Sequence, residues 1–175
     1  DTDKLIYVAN SDGLLEFDGT TWTLYPSPNK TVMRAVAVIQ DRIFTGCHME
    51  FGFWEKNNFG TLSYTSISQN LKIPLLEDEE IWNILAFENE IIFQSLHRLY
   101  IYDTLGKTFK VINSKTVLEK VFVINRTIYF QKSKEGLYKI ENDITTLLSG
   151  DPLVKENIIV NMYPKGGHLL LITQE

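Results

Sequence analysis

The sequence predicts an all-β fold, from its composition, from short strand-type runs and from a pattern that recurs about every 40 residues. The chain is rich in β-branched residues, with eighteen isoleucines, ten valines and fifteen threonines, and it has only four alanines. Such side chains favour strands over helices. Residues 34–39 and 99–102 are typical short strands, and turn residues separate such runs. No segment has the periodicity of an amphipathic helix.

Four segments of the chain resemble one another and indicate the architecture. Each has a hydrophobic pair, a short polar connection and a second strand that ends in a large apolar residue followed by an acid. A period near 40 residues with about four short strands is the size of one blade of a β-propeller. The large apolar residues lie at intervals of 37, 48 and 38, at Phe17, Trp54, Tyr102 and Ile140.

The strands of the second repeat can be placed in order along the chain. The acidic, proline-containing segment 69–80 then follows as a connection between blades, which explains the longer middle interval. Between the first and second strands of each blade we expect a hairpin turn, where polar residues or glycine tolerate a tight backbone. The expected strands are 32–39, 42–47, 51–55 and 62–68, and the expected turns lie at 41–42, 89–90, 125–126 and 166–167.

Residues 1–175 are predicted to form a single β-propeller region of about four blades or partial blades. The chain opens and finishes on a second strand, at 5–9 and 169–173, which leaves three complete blades between partial ones. Propellers avoid exposed sheet edges by closing into a ring. Four blades can close a ring, but propellers of this kind are commonly larger, so we expect a fragment of a larger propeller. A β-sandwich or barrel of similar composition is the alternative. The expected blades are roughly 1–28, 29–70, 79–113, 117–149 and 157–175.

The charge and composition argue against several classes of function. A formal charge of −5 and a pI near 5.3 leave no basic surplus for nucleic acid or an anionic membrane. Cys47 is the only cysteine, so an internal disulfide and a multi-cysteine zinc site are both excluded. No apolar run reaches the roughly 18 residues that span a bilayer, so we expect any membrane anchor outside this segment.

The sequence contains no motif that predicts a catalytic residue, a metal site or a cofactor. Ile101 stands where a phosphate-binding loop ending at residues 106–108 would need glycine. A calcium loop around residues 10–13 would need carboxylates at Val8 and Gly19. Cys47 is predicted to be a small buried residue rather than a nucleophile or ligand. Paired carboxylates for glycoside cleavage stay open, because their separation in space is invisible in a sequence.

Candidate ligand-binding residues follow from the expected position of turns in a propeller. Ligands bind at the mouth of the central channel, where the connections from second to third strands converge with those between blades. In this chain those turns carry basic and acidic side chains together, which suits a small polar ligand. The candidates are His48, Glu50, His97, Arg98 and Lys134.

Several segments resemble the two-component regulator propeller repeat. Residues 41–46, 13–22 and 136–138 resemble segments of this repeat. The family's blades carry an aspartate-glycine turn, a tryptophan-x-glycine-threonine strand and a glycine-leucine-aromatic strand. Residues 81–103 look most like the sensor regions of Bacteroidetes transcriptional regulators. The likeness covers nearly the whole chain, although Phe44 stands where the family favours tryptophan. The glycine-threonine pair is also missing from the third and fourth blades.

The resemblance implies a periplasmic sensor domain whose membrane segment and output domain lie beyond this chain. It implies recognition of a small polar ligand or glycan fragment, often by a homodimer, and no enzymatic activity. The family's motifs are structural, so no ligand-contacting residue is carried over from them. Two alternatives are a propeller-fold carbohydrate-active enzyme, either a lyase or a glycosidase, and a protein-interaction scaffold.

Overall fold

The structure is a computed structural model that describes residues 5–174. Within that range the regular elements are β-strands, apart from one short α-helix and one 3-10 turn. Strands that are consecutive in the sequence pair to form antiparallel sheets, and three of these sheets have four strands. Consecutive four-stranded antiparallel sheets are propeller blades, so the predicted fold class is confirmed. The chain divides into two compact units after Ile84.

The first unit contains a three-stranded sheet followed by a four-stranded sheet, each paired in chain order. Ile6 lies opposite Phe17 and Ile43 lies opposite Trp54, so the large apolar residue of each repeat has the same register. The strands are β1 (Ile6–Asn10), β2 (Gly13–Phe17), β3 (Trp22–Pro26), β4 (Met33–Ile39), β5 (Arg42–Cys47), β6 (Glu50–Lys56) and β7 (Leu62–Ser66), followed by the 3-10 turn Ser68–Asn70.

The second unit contains two four-stranded sheets and a final two-stranded sheet. The boundary between the units falls within the first strand of the third sheet. The elements are β8 (Asn83–Phe87), β9 (Glu90–Gln94), β10 (Arg98–Asp103), β11 (Thr108–Asn113), β12 (Leu118–Ile124), β13 (Thr127–Lys132), β14 (Gly136–Glu141), β15 (Ile144–Ser149), α1 (Pro152–Glu156), β16 (Ile159–Lys165) and β17 (His168–Thr173).

The predicted strands and turns agree closely with the structure. The four strands of the second sheet begin and end within two residues of their predicted limits. The turns at 125–126 and 166–167 are confirmed, and all four of their residues have positive φ, as a two-residue hairpin turn of type I′ requires. The other two turns lie at 40–41 and 88–89, one residue earlier than predicted.

Two details of the prediction are corrected. In the third repeat Ile91 lies opposite Tyr102 and Ile92 lies opposite Ile101, so the repeat begins one residue earlier. The sequence also showed no convincing helix, whereas α1 occupies the connection between β15 and β16. Residues 1–4 and 175 of the first and last predicted blades lie outside the described residues. That residues 1–175 form one propeller region stays a prediction.

Apolar clusters between neighbouring sheets hold each unit together. In the first unit Trp54 is buried, and its Nε1 donates to Oγ1 of Thr45 at 2.9 Å. Cys47 is fully buried beside it, and burial raises the pKa of this thiol to about 12, which confirms the predicted structural cysteine. In the second unit α1 is anchored by Val154, which packs with Phe122, Leu137, Ile159 and Met162.

Candidate functional site

A cleft of about 560 Å³, lined mostly by polar and charged residues, opens in the second unit. It lies where the turn between β13 and β14 meets the connection that carries α1 from β15 to β16. A second-to-third-strand turn and a blade-to-blade connection therefore meet at one place, as expected for a ligand site of a propeller. The residues lining the cleft include Lys134, Lys155, Glu119, Glu156, Gln131 and Asn157.

Gln131 on β13 fixes the connection between β15 and β16 to the sheet formed by β12 to β15. Its side chain is buried, and Nε2 donates to the carbonyl oxygens of Val154 at 2.7 Å and Asn157 at 2.8 Å. Its Oε1 accepts the backbone N–H of Ile159 at 2.8 Å. One side chain thus makes two hydrogen bonds to the connection and one to the first residue of β16, and a buried amide satisfied in this way holds the wall of the cleft in place.

The short helix α1 supplies a lysine and a glutamate to the cleft. Asp151 caps the helix, because its Oδ1 accepts the N–H of Leu153 at 2.9 Å, and proline follows at the first helical position. Lys155 and Glu156 form the last part of the helix and line the cleft. A Cβ built on Gly150 would lie 3.4 Å from Cε of Lys155, so the lysine stem packs close to this glycine.

Lys134 lies in the turn between β13 and β14, with a φ of 61° in the left-handed region. The neighbouring Glu135 secures the turn, since Oε1 accepts from Oγ1 of Thr116 at 2.7 Å and Oε2 accepts from the hydroxyl of Tyr138 at 3.1 Å. The hydrogen bond from Thr116 is the main cause that lowers the pKa of Glu135 below its usual value. A carboxylate therefore anchors the turn while Lys134 is exposed beside it.

The charges of the cleft are balanced. The cleft is lined by two ammonium groups, those of Lys134 and Lys155, and by two carboxyl groups, those of Glu119 and Glu156. Such a lining offers both donors and acceptors, which suits a neutral or zwitterionic ligand with several hydroxyl or amide groups. Among residues 5–174 no group of three or more His, Cys, Asp or Glu side chains could hold a metal ion.

His48 and Glu50 lie in the first unit and not in the cleft. The Nε2 of His48 is 3.3 Å from Oδ1 of Asp78, in the connection between β7 and β8. Glu50 begins β6 and is only 9% exposed. Its Oε1 accepts hydrogen bonds from three hydroxyl groups within 3.0 Å, and these belong to Tyr64, Ser66 and Ser68. Glu50 therefore organises the interior of its sheet, and its predicted contact with a ligand stays a prediction.

His97 and Arg98 lie at the turn between β9 and β10. The carbonyl of His97 accepts the N–H of Ser114 at 2.8 Å, which ties this turn to the next blade-to-blade connection. Arg98 donates from Nε to Asn113 at 2.9 Å and from Nη1 to the hydroxyl of Tyr100 at 3.1 Å. Of the five candidates, Lys134 is the one that lines the cleft. The ligand-binding role of all five stays a prediction.

Sequence reasoning missed Gln131, Lys155 and Asn157. A signal for Gln131 was present, because the dipeptide Phe-Gln occurs at 93–94 and again at 130–131, in the same part of the second strand. Gln94 has the corresponding role, since its Nε2 donates to the carbonyl of Leu118 at 3.0 Å in the next sheet. Lys155 had no comparable signal, because its position depends on the course of the whole connection.

The fold and the cleft together define a β-propeller protein with a polar site between a turn and a blade-to-blade connection. Among solved structures, the extracellular domain of the putative one-component system BT4673 from B. thetaiotaomicron has a TM-score of 0.70 and 12% identity, over 99% of this chain and 24% of that chain. The extracellular domain described as the putative hybrid two-component system BT4673 gives 0.68 and 13%, over 99% and 24%.

The computationally designed Ika8 protein also matches, with a TM-score of 0.68 and 9% identity over 97% of this chain and 52% of that chain. These low identities show similarity of fold alone. The chain spans about a quarter of the length of the two BT4673 structures. No model of a protein family matches the chain, and no curated protein matches it. Within the described range, the helical segments lack the length and apolar character of a membrane span.

Proposed function

We propose that this chain is part of a ligand-sensing β-propeller domain of a bacterial signal-transduction or transcription regulator, located in the periplasm. Its ligand is an oligosaccharide or another small polar molecule that occupies the cleft at Lys134. The single observation that carries this proposal is the cleft itself, with two lysines and two glutamates where a turn meets a connection. The extracellular location of the domain of similar fold in BT4673 supports the location.

The site supports binding more directly than it supports a reaction. Gln131 and the Asp151 cap hold the connection in place, so the lysines and glutamates can meet a ligand at little cost in ordering. Ammonium groups donate to ligand oxygens, and carboxylates accept from ligand hydroxyls. We therefore propose that the domain binds saturably and leaves its ligand chemically unchanged.

Binding and turnover can be measured together on the purified chain. We expect isothermal titration calorimetry with a panel of short oligosaccharides to give saturable heats, and chromatography of the same mixtures to show no product. Lys134→Asn should weaken binding about tenfold, because it removes one charge-assisted hydrogen bond. Asparagine tolerates the left-handed backbone at this position.

Lys107→Asn is the matched control, because Lys107 is also exposed, lies in a turn and has a positive φ of 52°. It lies outside the cleft and should leave the affinity unchanged. Equal affinity in both variants would contradict binding in the cleft. A chemically altered oligosaccharide would instead favour the carbohydrate-active enzyme.

The signal itself is proposed to pass through a change in dimer contacts. Occupancy of the cleft would then alter the sedimentation of the protein in analytical ultracentrifugation. The same chain without ligand, and the Lys134→Asn variant with it, provide the two reference states.

A further inference from the structure

A second polar cluster lies in the first unit and shares no residue with the cleft. Trp82 follows the connection between β7 and β8 and is 45% exposed. The guanidinium of Arg34 on β4 lies over the indole, with Cζ 4.5 Å from the ring centroid. The same side chain reaches Glu80, with 2.7 Å between Nε and Oε2. Arg34, Glu80 and Trp82 are together named the indole platform.

Strand-like alternation places Glu80 and Trp82 on one side of their segment. Ile81 between them is buried, and its N–H donates to the carbonyl of Cys47 at 3.3 Å. Gly46 makes room for it, since a Cβ there would lie 2.5 Å from Cγ2 of Ile81. Side chains at i and i+2 of an extended segment share a face. Burial of Ile81 therefore presents Glu80 and Trp82 outward together.

A backbone bridge and a buried side chain hold the platform before any ligand arrives. Glu80 pairs with His48 in an isolated antiparallel bridge. The bridge is formed by the hydrogen bond from Ile81 to Cys47 and by that from the N–H of Met49 to the carbonyl of Glu79, at 2.7 Å. The Glu79 side chain is buried, and its Oε2 accepts the N–H of Leu76 at 2.8 Å. The segment is thus pinned to the turn between β5 and β6, and a preordered surface loses little entropy on binding.

An exposed indole with a guanidinium over one face and a carboxylate nearby has the chemistry of a sugar site. The electron-rich face of an aromatic ring attracts the C–H groups on the flat side of a pyranose ring. The hydroxyl groups around the edge of that ring can donate to a carboxylate and accept from a guanidinium. Both polar partners are partly exposed here, with 33% of the Arg34 side chain and 22% of the Glu80 side chain accessible.

The carboxylates around the indole platform favour neutral sugars over anionic ones. Arg34 is already paired with Glu80, and Asp78 lies near His48 in the same segment. Glu77 precedes them in the sequence, and Glu79 lies between Asp78 and Glu80. This local excess of carboxylates disfavours uronate and sulfated sugars, because like charges raise the cost of bringing an anion close.

We propose that the indole platform is a binding site for neutral pyranose sugars, with the sugar ring stacked on the face of Trp82 that Arg34 does not cover and its hydroxyls reaching Glu80 and Arg34 past the edge of the indole. This deepens the proposed function, because it names a ligand class for the sensing domain. Only the choice of a sugar as the ligand rests on the proposed function. The platform and the cleft are built from different residues, so each can be tested alone.

The test titrates the purified chain with short neutral oligosaccharides of β-linked glucose, xylose, mannose and galactose, up to about 10 mM. Isothermal titration calorimetry is the readout, since it does not need the indole as a reporter. We expect at least one of these sugars to bind saturably. Trp82→Ala should weaken that binding at least about tenfold, and Trp82→Phe, which keeps an aromatic face, should weaken it less.

Trp22→Ala is the matched control. Trp22 is 51% exposed, stacks on Phe17 and lies on β3, so its loss should leave the affinity within about twofold of the parent chain. Oligogalacturonate and a sulfated oligosaccharide should bind more weakly than the best neutral sugar at the platform. Circular dichroism of each variant checks that it is folded.

Several results would overturn the proposal. They are the absence of binding by every neutral sugar, equal losses in Trp82→Ala and Trp22→Ala, and binding that survives Trp82→Ala. Lys134→Asn separates the two sites. Loss of neutral-sugar binding only in Trp82→Ala supports the platform and counts against the cleft, whereas loss only in Lys134→Asn does the reverse.

Discussion

At the scale of the residue, Glu50 is a predicted ligand-binding residue whose side chain instead accepts hydrogen bonds inside its own sheet. Sequence reasoning placed it in an exposed turn, whereas β6 begins at Glu50 and buries it. Its Oε1 accepts from Tyr64, Ser66 and Ser68. Burial is the main cause that raises the pKa of Tyr64, and the charge of Glu50 adds to it, so the tyrosine stays a donor. Removing Glu50 would leave three hydroxyls without this acceptor.

We expect Glu50→Ala to lower the free energy of unfolding by about 3 kcal/mol, because buried donors that lose their acceptor pay a desolvation cost. Glu50→Gln keeps an acceptor oxygen and should cost less. Urea denaturation measures both. Glu55→Ala in the same strand is the control, because Glu55 forms a half-exposed pair with Arg42 at 3.2 Å and should cost no more than about 1 kcal/mol. A loss at Glu50 no larger than at Glu55 would contradict this role.

At the scale of the element, each of two glutamines joins its second strand to the connection that leads into the next sheet. Gln94 and Gln131 occupy the same position of β9 and β13, and Gly46 occupies it in β5. Where glutamine is present, its amide bonds the backbone of the next segment. Where glycine is present, the side chain of Ile81 fills the space. One position thus joins neighbouring segments in two ways, by an amide or by an apolar contact.

Gln131→Leu should destabilise the protein by about 3 kcal/mol, because two carbonyls and one N–H lose their partner inside the protein. It should also loosen the wall of the cleft, so hydrogen exchange of the N–H of Ile159 should become faster. Gln69→Leu, at an exposed position after β7, is the control. Unchanged exchange at Ile159 would show that Gln131 does not hold the connection.

Some elements of the fold follow from local sequence, whereas others depend on distant contacts. The hairpin turns at 125–126 and 166–167 were predictable because positive φ imposes a local demand on residue type. The register of the third sheet was missed by one residue because Ile91 and Ile92 are both apolar, so the pattern fits either register. The cleft was predictable only at Lys134, since Lys155 reaches it through a helix whose place depends on Gln131 and Val154.

At the scale of the whole molecule, the dependence of stability on pH combines carboxyl groups with opposite shifts. Glu90 lies near Asp103, Asp143, Glu88 and Lys110, and its pKa is raised from 4.5, first by burial and then by the neighbouring acids, while Lys110 acts in the opposite direction. Lys110 donates to Asp143 at 2.8 Å and lowers the pKa of that carboxyl. Another acid of the cluster, Glu88, is paired with Arg126 at 2.6 Å.

The sign of each effect follows from proton binding. As the pH rises through 4.5, unfolded chains release the Glu90 proton while folded chains keep it, so the free energy of unfolding falls until the folded group also ionises. Glu135 does the opposite, because its lowered pKa adds stability above pH 4.5 that is lost as the pH falls through the folded value. The two glutamates therefore contribute opposite slopes to the same stability curve.

Glu90→Gln should accordingly raise the midpoint of urea unfolding at pH 7, and the gain should vanish below pH 4.5, where Glu90 of the parent chain is protonated in both states. Glu135→Gln should lower the midpoint at pH 7 and converge with the parent chain in acid. Midpoints measured from pH 3 to pH 8 for the three proteins provide the comparison. Shifts of the same sign in both variants would show that local packing, rather than ionisation, governs these positions.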